Sequence, residues 1–153
     1  MRVEYINPFV ESSFVVLKEV LDTDIVRGEL FLKPASQPVL GVTAIVGITG
    51  QIEGRVLLDM SPETGVNIAS AMNGTELPEF DELAKATIME LANMIVARAV
   101  TKLDEIGFDV ELSPPSLFTG DNMDITNTEE EALIVPIEMP LGNFEINVTI
   151  REG

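Results

Sequence analysis

Residues 81–107, DELAKATIMELANMIVARAVTKLDEIG, run from Asp81 to Gly107 and decide how this chain is read. Advanced at 100° per residue, the segment splits into two faces. Ala84, Ile88, Leu91, Ala92, Ile95 and Ala99 form one apolar stripe, which predicts a long helix buried on that side. Glu90 lies far from the centre of the stripe. Around it on the outer face fall Leu83, Ala86, Asn93, Met94, Ala97 and Thr101. An ordinary solvated helix face is dense in Lys, Glu and Arg. This one is small and apolar, with a carboxylate and a carboxamide set into it. Three residues apart on a helix, those two groups sit about 5–6 Å from each other on one side.

Upstream, Val39–Thr49 and Ile52–Met60 read as two strands joined tightly through Gly50-Gln51, a hairpin signal. Ser61-Pro62 predicts the cap and first residue of a short helix that runs to Met72 and stops at Asn73-Gly74. Earlier still, Ile25–Lys33 reads as a strand. Asn7-Pro8 reads as the start of an N-terminal helix carrying Phe9, Val10, Phe14, Leu17 and Leu21.

Downstream, Phe108–Leu112 is extended and halted by Pro114-Pro115, and Ser116–Glu131 is polar and is expected to include an exposed loop. Ala132–Met139 and Phe144–Ile150 predict a second hairpin, with Phe144, Ile146, Val148 and Ile150 on one face. The expected fold is α+β over a single domain, residues 1–153. A largely antiparallel sheet packs against an N-terminal helix, a short helix and the long helix.

Composition removes whole classes of chemistry. The 153 residues include no cysteine and no histidine. Disulfides, thiolate nucleophiles, imidazole bases and the usual zinc sites are therefore impossible. A formal net charge of −17, with nine basic residues, argues against nucleic acid as a partner. Residues 108–150 contain no Lys or Arg and nine acidic residues. The plain reading of that acidity is a solvated surface, and the sharper one is a face that steers a cationic partner. No apolar run is long enough to span a membrane, and the N-terminus lacks the zones of a signal peptide, so a cytoplasmic location is expected.

Eighteen Glu and eight Asn in the chain give on the order of one Glu-x-x-Asn by chance. A second copy, Glu4 to Asn7, does occur, and there Asn7 precedes a proline. Glu90–Asn93 stands out through its place on a long amphipathic helix and its small apolar neighbours. From the residues alone it fits a functional site, a homodimer contact or plain surface. A different signal, Asp22-Thr23-Asp24-Ile25-Val26, fits the Asp-x-Asp-x-Val pattern of haloacid-dehalogenase phosphatases, with Gly120–Asp124 as a loose metal-motif echo. That fold needs a buried parallel strand before the first Asp, which this chain's pattern does not offer. The Gly120–Asp124 stretch lacks the spacing of a Ca²⁺ loop and reads as a polar turn.

DELAKATIMELANM, the upstream GITGQIEGRVLLDMSPETGVNIASAMNG and Pro114-Pro115 together resemble the CheX/CheC/FliY family of chemotaxis phosphatases, the CheX branch most closely. The resemblance implies a CheC-like fold and hydrolysis of the aspartyl phosphate of a CheY-like response regulator. In the family pattern an acidic or serine residue precedes Glu by four positions, Asn follows Glu by three, and proline lies downstream. Carried over, these are Glu90, Asn93 and one of Pro114 and Pro115; the leading position falls on Ala86, where this chain departs. Glu90 would pair with a lysine of the regulator and Asn93 would hold the attacking water. Leu83, Ala86, Met94 and Ala97 would line the partner-binding surface. The resemblance also implies no cofactor or metal of the chain's own, Mg²⁺ being supplied by the phosphorylated regulator, and a homodimer. A dimeric module that binds a receiver without hydrolysing it is the alternative that Ala86 keeps open.

Overall fold

The computed structural model describes residues 3–33, 36–121, 123–126 and 132–152. Three helices pack on a sheet whose pairings are all antiparallel: α1 (Val3–Leu21), α2 (Pro62–Asn73) and α3 (Glu82–Glu105). The sheet has eight strands. Its main path runs β1 (Val26–Arg27), β9 (Ala132–Glu138), β10 (Phe144–Glu152), β5 (Ile52–Met60), β4 (Val42–Gly50), β6 (Val110–Leu112). Off that path β2 (Phe31–Lys33) joins β9 and β7 (Ser116–Thr119) joins β4. A separate two-stranded sheet pairs β3 (Ser36–Pro38) with β8 (Asp124–Thr126).

Alternation along the central strands sorts their side chains onto two faces. Val46, Ile48, Val56, Leu58, Met60, Phe144, Ile146, Val148 and Ile150 join Phe9 and Leu17 of α1, Ile68 of α2 and Ile88, Leu91 and Ile95 of α3 in one core. The expected stripe of α3 is buried throughout, and Val96 and Leu103 extend it. The opposite face is covered as well. Leu57, Ile134, Asp59 and Asn147 are all buried there. Asp59 Oδ1 accepts from the Leu40 backbone N–H at 2.9 Å and from the Thr43 hydroxyl at 3.3 Å. Asp59 Oδ2 and both side-chain atoms of Asn147 have no hydrogen-bond partner. Burial pushes the Asp59 carboxyl above its ordinary pKa and nearby Glu145 adds to this; the Leu40 and Thr43 hydrogen bonds and Lys33 oppose it.

Several expectations need correction. The N-terminal helix begins at Val3, not at Asn7-Pro8, and Pro8 lies inside it. Burial of Tyr5 and Ile6, with the Tyr5 hydroxyl donating to Glu152 Oε1 at 2.6 Å, outweighs the bond a proline cannot make. Ile25–Lys33 is two short strands rather than one. Between the pairs Arg27–Ile137 and Phe31–Ile134, three residues on one side face two on the other, one of them Pro136. Ser116–Glu131 holds two short strands, β7 and β8, on either side of an exposed turn at Gly120-Asp121; Asn122 and residues 127–131 of that stretch lie outside the described residues. The dehalogenase-like reading of Asp22–Val26 fails on topology. Helix α1 precedes Asp22, and the strand that follows pairs antiparallel with β9. Among the described residues, no helix is long and apolar enough to cross a membrane.

Candidate functional site

Helix α3 is held at both ends by its own sequence. Asp81 caps it, its side chain accepting from the Ala84 N–H at 2.9 Å. At the far end the chain turns out through Gly107, whose φ of 98° suits glycine, and the Phe108 N–H returns to the Leu103 carbonyl at 2.9 Å. Twenty-four residues make the helix roughly 36 Å long, and its outer face is a ridge along one side of the molecule.

The structure brings the expected residues together on that ridge. Glu90 and Ala86 are exposed, and Leu83 retains 48% of its surface. Asn93, Met94 and Ala97 are half-buried, with Met94 also packing against the core. Side chains that are short or apolar thus surround an acid and an amide that can both be reached from solvent. Such a surface admits a partner's backbone closely while offering one charge and one neutral donor–acceptor.

Both shoulders of the ridge are tied down. Towards α1, Arg98 pairs with Glu19 at 3.3 Å and Lys102 with Glu11 at 2.9 Å, so these cations are already engaged within the chain. Towards α2, Asn73 Nδ2 donates to Thr87 Oγ1 at 2.9 Å. Asn73 was legible only as a helix stop beside Gly74, which caps α2 at φ 66°. Its bond to α3 had no sequence signal, because nothing local links positions 73 and 87. Pro114 and Pro115 lie between β6 and β7, two strands that pair side by side with β4. Ser113 pins that turn through its N–H to the Gly47 carbonyl at 2.9 Å and through its Oγ, which accepts from the Gly47 N–H at 2.8 Å. Among the described residues, no group of three His, Cys, Asp or Glu stands close enough to hold a metal ion.

Known proteins place this arrangement in context. The sequence profile described as chemotaxis phosphatase CheX matches residues 42–138. A protein of Thermotoga maritima named CheY-P phosphatase CheX is 26% identical over 159 residues, covering all of this chain and 99% of that one. The crystal structure of a CheX–CheY–BeF₃–Mg²⁺ complex from Borrelia burgdorferi is similar at 38% identity and a TM-score of 0.87, covering 99% of this chain and 100% of the other. A CheC-like superfamily protein from a Shewanella species is similar at 25% identity and a TM-score of 0.88, covering 99% of each chain.

Proposed function

The chain belongs to the chemotaxis phosphatase CheX family, and we propose that it hydrolyses the aspartyl phosphate of a CheY-like response regulator through Glu90 and Asn93. The observation that carries this is the ridge of α3. An accessible carboxylate and a half-buried carboxamide sit three residues apart on a face whose other members, Leu83, Ala86, Met94 and Ala97, are short or apolar.

An acyl phosphate is an activated group, so hydrolysis needs chiefly an aligned water and neutralised charge. Mg²⁺ and a lysine belong to the regulator and supply that neutralisation. Glu90 pairs with the lysine and sets the register of the two proteins. Asn93 enters the site, and its carbonyl oxygen accepts a hydrogen bond from the attacking water while its N–H₂ can face a phosphoryl oxygen. The water oxygen bonds to phosphorus, the bond from phosphorus to the aspartyl oxygen breaks with its electron pair on the carboxylate, and the water's spare proton passes to phosphate or solvent. Leu83, Ala86, Met94 and Ala97 line the contact. A neutral amide suits position 93, since a carboxylate there would repel the phosphoryl oxygens.

The same reading takes residues 1–153 as one cytoplasmic domain that acts as a homodimer, with no cofactor of its own. Val26, Leu30, Phe31, Leu32 and Leu40 leave 40–58% of their surfaces exposed within one stretch of chain away from α3, and that is the surface assigned to self-association. Ala86 favours the second reading, a dimer that binds the receiver without hydrolysing it. Mixing the chain with a phosphorylated CheY-like receiver in Mg²⁺ and following phosphate release decides between them. Faster release supports the phosphatase; co-elution with the receiver at an unchanged release rate selects the binding module. Light scattering should give twice the chain mass, and a monomer at micromolar concentration would refute the dimer.

A further inference from the structure

Docking is tightest when Glu90 and Asn93 already face the receiver, because reorienting them on contact costs affinity. The roll of α3 about its own axis therefore matters as much as the identity of its side chains. The buried stripe seats Ile88, Leu91 and Ile95 in the core, while Ala84, Ala92 and Ala99 beside them have short side chains that interlock weakly with their neighbours. The ion pairs to α1 involve Arg98 and Lys102, both beyond Asn93 on the C-terminal side. Among the described residues, the side-chain hydrogen bond between α3 before Glu90 and its neighbour α2 is the one from Asn73 to Thr87.

That tie is part of a directed relay. The Asn73 amide donates one proton to the Ala69 carbonyl at 2.8 Å and another to Thr87 Oγ1 at 2.9 Å. Thr87 Oγ1 in turn donates to the Leu83 carbonyl at 2.8 Å. Both amide protons and the hydroxyl proton are thus committed, running from the last turn of α2 into the turn of α3 that immediately precedes Glu90. Thr87 stands three residues before Glu90, on the same side of the helix.

We propose that Asn73 and Thr87 are positioning residues that fix the roll of α3, so that Glu90 and Asn93 meet the receiver in register. This inference rests on the phosphatase reading and deepens it. Val at position 87 keeps the shape of Thr and removes both hydrogen bonds, whereas Ser keeps the hydroxyl and loses a methyl. The tie is exposed, so its loss changes global stability little.

The test uses the full chain and a phosphorylated receiver, with Thr87→Val, Thr87→Ser, Asn73→Ala and the double variant Asn73→Ala/Thr87→Val. Thr87→Val and Asn73→Ala should each raise KM about three- to tenfold, the scale of one hydrogen bond, while kcat falls no more than about twofold. Thr87→Ser should restore the wild-type KM. The double variant should be no worse than either single one, because both remove the same bond. An unchanged KM for Thr87→Val, or losses that multiply in the double variant, would overturn the inference while leaving an active wild type in place. A wild type that does not speed phosphate loss brings down the phosphatase reading, and this inference with it.

Discussion

Two places in this molecule carry a carboxylate and a carboxamide on neighbouring positions of one helix or adjacent strands, and their surroundings are opposite. Glu90 and Asn93 stand on the outer ridge of α3, where both can be reached. Asp59 and Asn147 stand on adjacent strands of the sheet, each only 1% exposed. At the buried pair one carboxylate oxygen and the whole amide lack partners. Polar groups left so cost about 1–3 kcal/mol each. The ridge can present the same two groups to a partner without that penalty, since water solvates them until docking. Identical chemistry thus serves recognition in one place and weighs on stability in the other.

Isosteric exchanges break the comparison most sharply, beginning with the ridge. Asn93→Asp should lower kcat for receiver dephosphorylation by about 100-fold or more, the scale of removing a positioning donor beside developing charge. Its melting temperature should stay within about 2 °C of wild type, because the site is not packed shut. Glu90→Gln should raise KM about tenfold with little change in kcat, as one charge-assisted bond is lost from docking. A kcat defect without a KM defect would reverse the roles assigned to the two residues.

At the buried pair the same logic predicts effects on folding and none on turnover. Asn147→Val, closer to Asn in volume than Leu and favoured in a strand, should raise the melting temperature by about 5 °C by removing two unpartnered buried groups, with phosphate release unaltered. A lower melting temperature would mean that the amide is satisfied in solution. The smallest effect concerns Asp59. Its carboxyl is raised by burial, so the folded chain holds that proton more tightly than the unfolded chain does. The stability this contributes is present at low pH and is lost as pH rises from the ordinary Asp value through the raised one. Asp59→Asn should remove that dependence. The wild type should therefore gain on the variant, by about 1 °C or more, as pH falls from 7 towards 4. Parallel melting curves across that range would count against it.

What could be read in advance followed from local periodicity. The stripe of α3 shows because six apolar positions recur at helical spacing over about four turns. The hairpin of β4 and β5 shows because Gly50-Gln51 interrupts two apolar runs. Gly50 adopts φ 119°, and a side chain there would come within 2.6 Å of the Asp109 carbonyl. Alternation put Asp59 and Asn147 on the face away from the helices, where a polar residue normally means water. It could not show that the chain around Leu40 closes over Asp59. That contact, the β3–β8 pairing and the β7 strand all join segments far apart in sequence. Pro8 misled for the opposite reason. A strong local signal for a helix start was overridden by burial of Tyr5 and Ile6 ahead of it. On the ridge, the acid and the amide could be read, but not the Asn73–Thr87 tie that flanks them.

The central claim is that Asn93 steers water at phosphorus from a surface the receiver docks against. Decay of a labelled phosphoaspartyl receiver should be followed with wild type, with Asn93→Ala and with nothing added, while receiver binding is measured in parallel. The account predicts rapid decay with wild type, and for Asn93→Ala a curve that overlays the unassisted one although binding persists. Decay as fast with Asn93→Ala as with wild type would contradict it.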